Sequence, residues 1–362
     1  MYNNSKCKAC EMRGVWIATV FNIDWPKTRN DVIKQKEEFI NILEKLQELK
    51  FNAIFVQVRA ASDAFYKSNI NPWSEYLTGT QGKYPGYDPL EFMIKETHKR
   101  GMEFHAWLNP YRVTLIGTDL NLLSKNNPAR INPEWVIEYE NALFYDPENP
   151  KVIEYIATTV YEIIKKYYVD GIHFDDYFYP YSYPLPIGED RDGEIANNRR
   201  EAVNNMIRLT NMVIKSVRPC VRFGISPFGV WKNKSSDING SDTNNLESYY
   251  DVYADSVAWI NEEIIDYIAP QLYWTIGNKS SDYKVTLDWW VNKIKDTNVD
   301  LYIGQGINKP EIAKEISEEI KINRSYNEVK GSIFFSMTNI KENTGDVIEQ
   351  FKYLYNCIAK IP

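Results

Sequence analysis

The sequence predicts an α/β protein: a single (β/α)8 TIM barrel with long loops at the C-terminal face. Three observations carry that prediction. Eight short, β-rich apolar runs recur along the 362 residues. A stretch of helical character follows each of them, which is the count of a closed barrel. The long irregular pieces, residues 62–88, 109–149, 177–199 and 227–251, all follow apolar runs; in a barrel that is the rim where active sites are built. A doubly wound open sheet is the alternative, but eight regular units would make it unusually wide. Residues 12–362 are assigned to the barrel and 1–11 to an N-terminal extension.

The runs lie at 13–18, 53–58, 103–108, 171–175, 221–226, 267–272, 301–304 and 332–335. Each is nearly continuous in apolar residues, as parallel strands covered on both faces must be. Between the first two, Phe39, Leu43, Leu46 and Leu49 recur at spacings of three and four, one apolar stripe on a helix over 31–50. Asp88-Pro89 opens the next helix, 90–100, as cap and first-turn proline, and Gly101 closes it. Pro150 precedes a helix over 151–168. Helices over 201–216, 253–264, 282–296, 310–322 and 346–358 complete the set.

Hydrophobic residues make up 44% and charged residues 25% of the chain, a globular balance that excludes a disordered or fibrous protein. Forty-two basic against 49 acidic residues give a net charge of -7. An acidic chain without a basic cluster is a poor binder of nucleic acid or of anionic membrane surfaces. No apolar window approaches the ~18 residues of a membrane span. The start, Met1-Tyr2-Asn3-Asn4, is polar and lacks the basic-then-apolar order of a secretory signal. Cys7 and Cys10 spell one CxxC without the second pair that a zinc ribbon needs, and read as incidental. The 26 Tyr, 15 Phe and 10 Trp suit stacking on sugar faces, although a codon bias toward Tyr accounts for part of the count.

The strand ends carry the chemistry. Only the fourth run ends in two carboxylates, Asp175-Asp176. Glycosidic cleavage needs a proton donor and a second group that stabilises the developing cation, and two carboxyls with separated pKa values supply both. Asp176 serving only as a turn cap is the competing reading. His105 and His173 sit on the third and fourth runs and are spaced to face with Asn109 and Asp175. A metal bound by these two His would need a third ligand, Asp175; no metal and no cofactor is expected. Arg59, Asp63 and Arg112 are the remaining charged rim residues, either substrate ligands or an Arg–Asp brace. Gln271 ends the sixth run, and Tyr111, Tyr177, Tyr179, Tyr273 and Trp274 are candidate sugar contacts or stacking platforms.

These residues resemble a known family. Met12-Arg13-Gly14-Val15-Trp16 with Asp24-Trp25-Pro26 is similar to the opening of the family 10 glycosyl-hydrolase-like proteins. So are Gln57-Val58-Arg59 with Asp63-Ala64, and the run from Ala106 through Asn109 to Arg112. The strongest piece is Asp170-Gly171-Ile172-His173-Phe174-Asp175-Asp176-Tyr177-Phe178-Tyr179-Pro180, followed by Tyr253-Ala254-Asp255 and the segment Ala269-Pro270-Gln271-Leu272-Tyr273-Trp274. The resemblance runs in order over nearly the whole chain. It implies a barrel glycosidase of the bacterial cell envelope, acting on peptidoglycan glycan strands stripped of stem peptides; separately, the chain is expected to be a monomer. The Asp-Asp pair also resembles that of N-acetylglucosaminidases that use the substrate's own acetamido group. That analogy implies that Asp175 steers the acetamido group and Asp176 donates the proton. A chitinase would want Glu where Tyr177 stands, and an amylase a Glu where Ser226-Pro227 ends the fifth run. Arg59 or Arg112 would then pair with a freed lactyl carboxylate. A barrel that binds wall glycan without cleaving it is the alternative from another class.

Overall fold

The computed structural model describes residues 8–362. The chain forms β1 (Met12–Ile17), β2 (Ala53–Arg59) and β3 (Glu103–Leu108), then a hairpin of β4 (Val136–Tyr139) and β5 (Ala142–Tyr145). It continues through β6 (Gly171–Phe174), β7 (Arg222–Ile225), β8 (Tyr267–Ile268), β9 (Asp300–Gln305) and β10 (Val329–Phe334). The eight strands outside the hairpin pair in parallel and close a barrel in the order β1-β10-β9-β8-β7-β6-β3-β2. The (β/α)8 TIM barrel expected from the sequence is therefore the fold. The β4–β5 hairpin lies within the long loop after β3, where the sequence suggested only irregular chain.

Local signals account for most helix starts. Asp31 accepts a hydrogen bond from the Lys34 amide at the head of Val32–Glu48, and Asp88 accepts from Glu91 ahead of Pro89–His98. Asn149 and Asp282 cap Pro150–Lys166 and Tyr283–Ile294 in the same way. Three helices differ from expectation, and the one expected at 346–358 is shorter, Val347–Leu354. The helix expected at 201–216 begins seven residues earlier and spans Glu194–Val217, with Gly193 at its cap. The helix expected at 253–264 shrinks to Ser256–Asn261, because Asp255 accepts from the Ala258 amide and fixes the start there. The sixth run pairs over only two residues, since Pro270 has no N–H to donate.

The barrel interior is filled by rings. Trp16, Phe55, His105, His173, Tyr267 and Tyr302 are all 2% exposed or less. Glycines on neighbouring strands make room for them. A Cβ on Gly14 would stand 2.6 Å from the Phe55 ring, one on Gly171 2.2 Å from His105, and one on Gly224 2.0 Å from Tyr267. Large and small residues thus alternate across the barrel, the usual way a closed eight-stranded sheet is filled. Among the described residues no helix is long and apolar enough to cross a membrane. Cys10 and Cys220 are exposed free thiols; Cys7, the other half of the CxxC, lies outside the described residues.

Candidate active site

At the C-terminal mouth of the barrel lies a cavity of about 370 Å³. Trp16 and Ser226 form its floor, and Trp107, Phe228, Tyr273 and Phe335 contribute apolar walls. Asp175 and Asp176 both line it, as do Arg112, Tyr177, Tyr181, Gln57 and Gln271. The two carboxyls follow the last residue of β6, where the strict alternation of strand side chains has ended. That is why neighbours in sequence share one space.

Each carboxyl is held by its own hydrogen bonds. On one side a chain of amides fixes Asp175. The Gln57 carbonyl accepts from the Thr19 amide at 3.0 Å and the Val20 amide at 2.9 Å. Its NH2 must then point at the Asn109 carbonyl, to which it donates. The Asn109 NH2 in turn donates to Asp175 Oδ2, and the Tyr177 amide donates to Oδ1 at 3.3 Å. On the other side, Gln271 donates to Asp176 Oδ1 at 2.7 Å and to the Ser226 carbonyl at 2.9 Å. The Tyr181 hydroxyl donates to Asp176 Oδ2.

Both carboxyls are buried, 4% and 6% exposed, and burial raises the pKa of each. For Asp175 the charge of Asp176 beside it adds to burial, and the carboxyl rises to about 7. For Asp176 burial also dominates, while the donors Tyr181 and Gln271 oppose the rise. Two carboxyls in one buried space cannot easily both ionise, so their titrations are linked. Arg112 is the nearest cation that lines the cavity. Its guanidinium stacks 4.0 Å over the Tyr177 ring, which itself stacks on Tyr181 at 4.9 Å. That guanidinium donates no hydrogen bond to any described residue, although Arg112 is only 7% exposed.

Below the floor, polar side chains continue down the barrel axis. The Trp16 indole donates to His173 Nε2 at 3.2 Å, and Ser226 Oγ lies 3.0 Å from the same nitrogen. An indole N–H can only donate, so Nε2 is the accepting nitrogen and Nδ1 carries the hydrogen toward Tyr267. Tyr267 lies 3.0 Å from His105 Nδ1, and His105 Nε2 lies 3.1 Å from Glu103. Burial, reinforced by His105, keeps His173 neutral. Both His are therefore parts of the barrel's interior packing and do not face the cavity. Among the described residues no three His, Cys, Asp or Glu side chains are grouped to hold a metal ion.

Of the residues singled out in the sequence, the structure brings Asp175, Asp176, Arg112, Tyr177, Gln271 and Tyr273 to the cavity, with Asn109 directly behind Asp175. The others stand elsewhere. Arg59 braces the loop after β3 by donating to the carbonyls of Asn109 and Pro110 and to the Tyr155 hydroxyl. Asp63 accepts from the amides of Ala60 and Ala61 and lines an adjoining cavity. Tyr111 and Tyr179 are buried, and Tyr179 packs edge-on against Tyr253 at 4.8 Å. Trp274 lies against Gly229. Asp255, a possible further carboxyl, is spent on capping its helix and accepting from Trp231. Sequence reasoning missed Gln57, Tyr181, Trp16 and Phe335 as site residues. Gln57 was visible as a polar residue inside an apolar run; nothing marked Tyr181 or Phe335.

The model of the glycosyl hydrolase-like 10 family matches residues 11–327. The glycosyl hydrolase YngK of Bacillus subtilis is 47% identical over 97% of this chain and 73% of its own. The glycosyl hydrolase DigH of Escherichia coli K12 is 37% identical over 95% of this chain and 83% of its own. Among solved structures, the glycoside hydrolase domain of PgaB (BpsB) from Bordetella bronchiseptica superposes with a TM-score of 0.60 at 11% identity, covering 95% of this chain and 99% of that domain. At that identity the likeness concerns the barrel. A family match over most of the length, relatives more than a third identical over the aligned span, and an aromatic-walled cavity holding two carboxyls agree: the chain belongs to the glycosyl hydrolase-like 10 family and is a glycoside hydrolase.

Proposed function

We propose that this enzyme hydrolyses β-linked, N-acetylated bacterial glycan in the cell envelope, and that its substrate is the peptidoglycan strand freed of stem peptides. The observation that carries the reading is the Asp175–Asp176 pair: two adjacent carboxyls in one buried, aromatic-walled space, each raised by burial. In this reading Asp176 protonates the departing glycosidic oxygen. Asp175, held by Asn109 and Gln57, orients the acetamido group whose oxygen attacks the anomeric carbon as the bond breaks. Water then attacks the anomeric carbon and opens the cyclic intermediate, and the Asp176 carboxylate takes a proton from that water. The apolar walls exclude bulk water, which strengthens both interactions.

Arg112 supports the finer choice of substrate. Arg59 has its guanidinium committed to the loop after β3, whereas that of Arg112 faces the cavity with its donors open. A freed lactyl carboxylate would satisfy them, and a charge-assisted hydrogen bond contributes roughly 1.5–3 kcal/mol. An amidated lactyl group, carrying its peptide, would lose that pairing and would have to fit between the long rim loops. The test compares product formation, by mass, from peptidoglycan before and after an amidase removes the stem peptides. Faster cleavage of the bare strand is expected. Equal rates would refute peptide exclusion, and no product from either would refute the substrate class.

A further inference from the structure

The barrel mouth opens sideways into a second cavity of about 400 Å³ to which the mechanism above gives no role. It is lined by residues following β1, β2 and β3. Phe21 and Leu115 line both this cavity and the one holding the Asp pair, so the two adjoin across one aromatic ring and one aliphatic side chain. The ring is held there against its backbone preference. Phe21 has φ 51 and ψ 18, and Asn22 follows at φ 55, a left-handed conformation that bulky residues avoid. The Asn22 side chain pins the turn, donating to the carbonyls of Pro26 and Tyr76 at 2.6 and 2.9 Å and accepting from Arg29 at 2.7 Å. Despite an edge-on contact with Tyr76 at 6.2 Å, Phe21 remains 56% exposed. A strained turn that keeps a large apolar ring in water gains nothing for folding.

The two cavities also differ in charge. The first contains Arg112. The second is lined by Asp63, Glu75 and Asp119 and by no Lys or Arg. It would accept a hydroxyl-rich sugar, whose O–H groups donate to carboxylates, and would repel a carboxylate-bearing one.

We propose that Phe21 is a stacking platform for the pyranose next to the one at the Asp pair, and that the second cavity is the binding site for that neighbouring, carboxylate-free sugar. This deepens the glycan reading and rests on it. Stacking of a sugar face on an exposed ring contributes on the order of a tenfold gain in affinity, the scale of an aromatic contact. The contribution appears only when the chain is long enough to span both cavities.

The test measures binding of β-1,4-linked N-acetylglucosamine oligomers of two to six units by calorimetry. Asp176→Asn protein is used so that turnover is slow during the titration. Affinity should rise with length. Adding Phe21→Ala should weaken the tetramer about tenfold and the dimer distinctly less, so that the length dependence flattens; adding Phe21→Trp should retain it. Thermal unfolding of both variants separates loss of the platform from loss of the fold, and a Phe21→Ala protein that does not fold leaves the Trp variant and oligomer-induced shifts in the Phe21 ring resonances of the otherwise intact protein to decide. A Phe21→Ala loss equal at every length, or no loss at any, overturns the second site and leaves the glycan reading standing. Failure of every oligomer and of denuded peptidoglycan to bind the protein overturns both.

Discussion

Replacing Asp176 by Asn tests the proton donor at little cost to the fold. The shapes are the same, and the change touches two hydrogen bonds: Gln271 to Oδ1 at 2.7 Å and Tyr181 to Oδ2. The Asn carbonyl keeps one of these donors. The amide NH2 faces the other, and a phenol hydroxyl turns more readily from donor to acceptor than Gln271, whose NH2 is also held by the Ser226 carbonyl. At most one hydrogen bond is weakened, worth about 0.5–1.5 kcal/mol. Against that, the variant no longer places two acidic groups in one buried space. The expected net change in stability is within about 1 kcal/mol, a few degrees in Tm for a chain of this size. Turnover is another matter, because loss of a positioned acid costs on the order of 10²–10⁴ in rate, roughly 2.7–5.4 kcal/mol of transition-state stabilisation. The assay uses two substrates: denuded glycan, whose leaving sugar needs the proton, and an aryl β-glycoside of N-acetylglucosamine, whose phenolate departs without it. The variant should lose at least about a hundredfold more on the glycan than on the aryl glycoside. An equal loss on both, or near-parental glycan cleavage, refutes the assignment. The donor would then be sought first at Asp175, because Asp63 and Asp255 stand outside this cavity.

The remaining expectations follow from the same geometry. The acid works only when protonated, and burial raises the Asp176 carboxyl, so kcat/KM should fall on the alkaline side at a pH above the ordinary carboxylate range. Asp175→Asn removes the neighbouring carboxyl from the same buried space and should move the falling limb to lower pH; an unmoved limb means that the two carboxyls do not titrate as a pair. Arg112→Gln should lower kcat/KM about ten- to a hundredfold on strands bearing a free lactyl carboxylate and by less on chitin oligomers, and equal losses on both would disprove carboxylate pairing. Gly224→Ala places a Cβ 2.0 Å from the Tyr267 ring, and overpacking of that kind costs about 1–3 kcal/mol or more. Thermal unfolding should show the loss, and an unchanged Tm would contradict the ring-filled interior.

Much of the fold was legible because barrel strands carry their own signature. Each is buried on both faces, so β1, β2 and β3 read as nearly continuous apolar runs, and the predicted 103–108 coincides with Glu103–Leu108. Helix starts were legible where a cap and a first-turn proline coincide, as at Asp88-Pro89. Where a glycine stands at the cap, as Gly193 does, no side chain announces the start, and the predicted helix began seven residues late. The β4–β5 hairpin was missed because its strands are only four residues each. Periodicity over so short a segment does not separate a strand from irregular chain.

The site was legible as chemistry and illegible as geometry. Asp175 and Asp176 stood out because two carboxyls at one strand end have few structural uses. Asn109 and Gln271 stood out because polar amides rarely finish apolar strands for packing reasons. What a linear reading lacks is the direction of a side chain at a strand end and the partners waiting for it. Arg59 and Arg112 show the difference. Both end or follow neighbouring strands, both carry the same charge, and nothing in their local sequence separates them. Tyr155, on the helix Pro150–Lys166, and the carbonyls of Asn109 and Pro110 decide the matter for Arg59 by taking up its donors. The Arg112 guanidinium lies over a ring face, that of Tyr177, and a ring face accepts no full hydrogen bond from it. The histidines show the converse error. Their spacing matched that of Asn109 and Asp175, but a strand's alternation carries a side chain to the barrel axis as readily as to its mouth, and one or two residues of depth separate a core layer from the cavity floor. His173 lies one layer down, beneath Trp16 and Ser226. Depth along the axis is set by how neighbouring strands are staggered, through pairings such as Trp107 with His173 and His173 with Gly224. Those pairings join residues far apart in the chain, so the boundary between core and site becomes visible only once the barrel has closed.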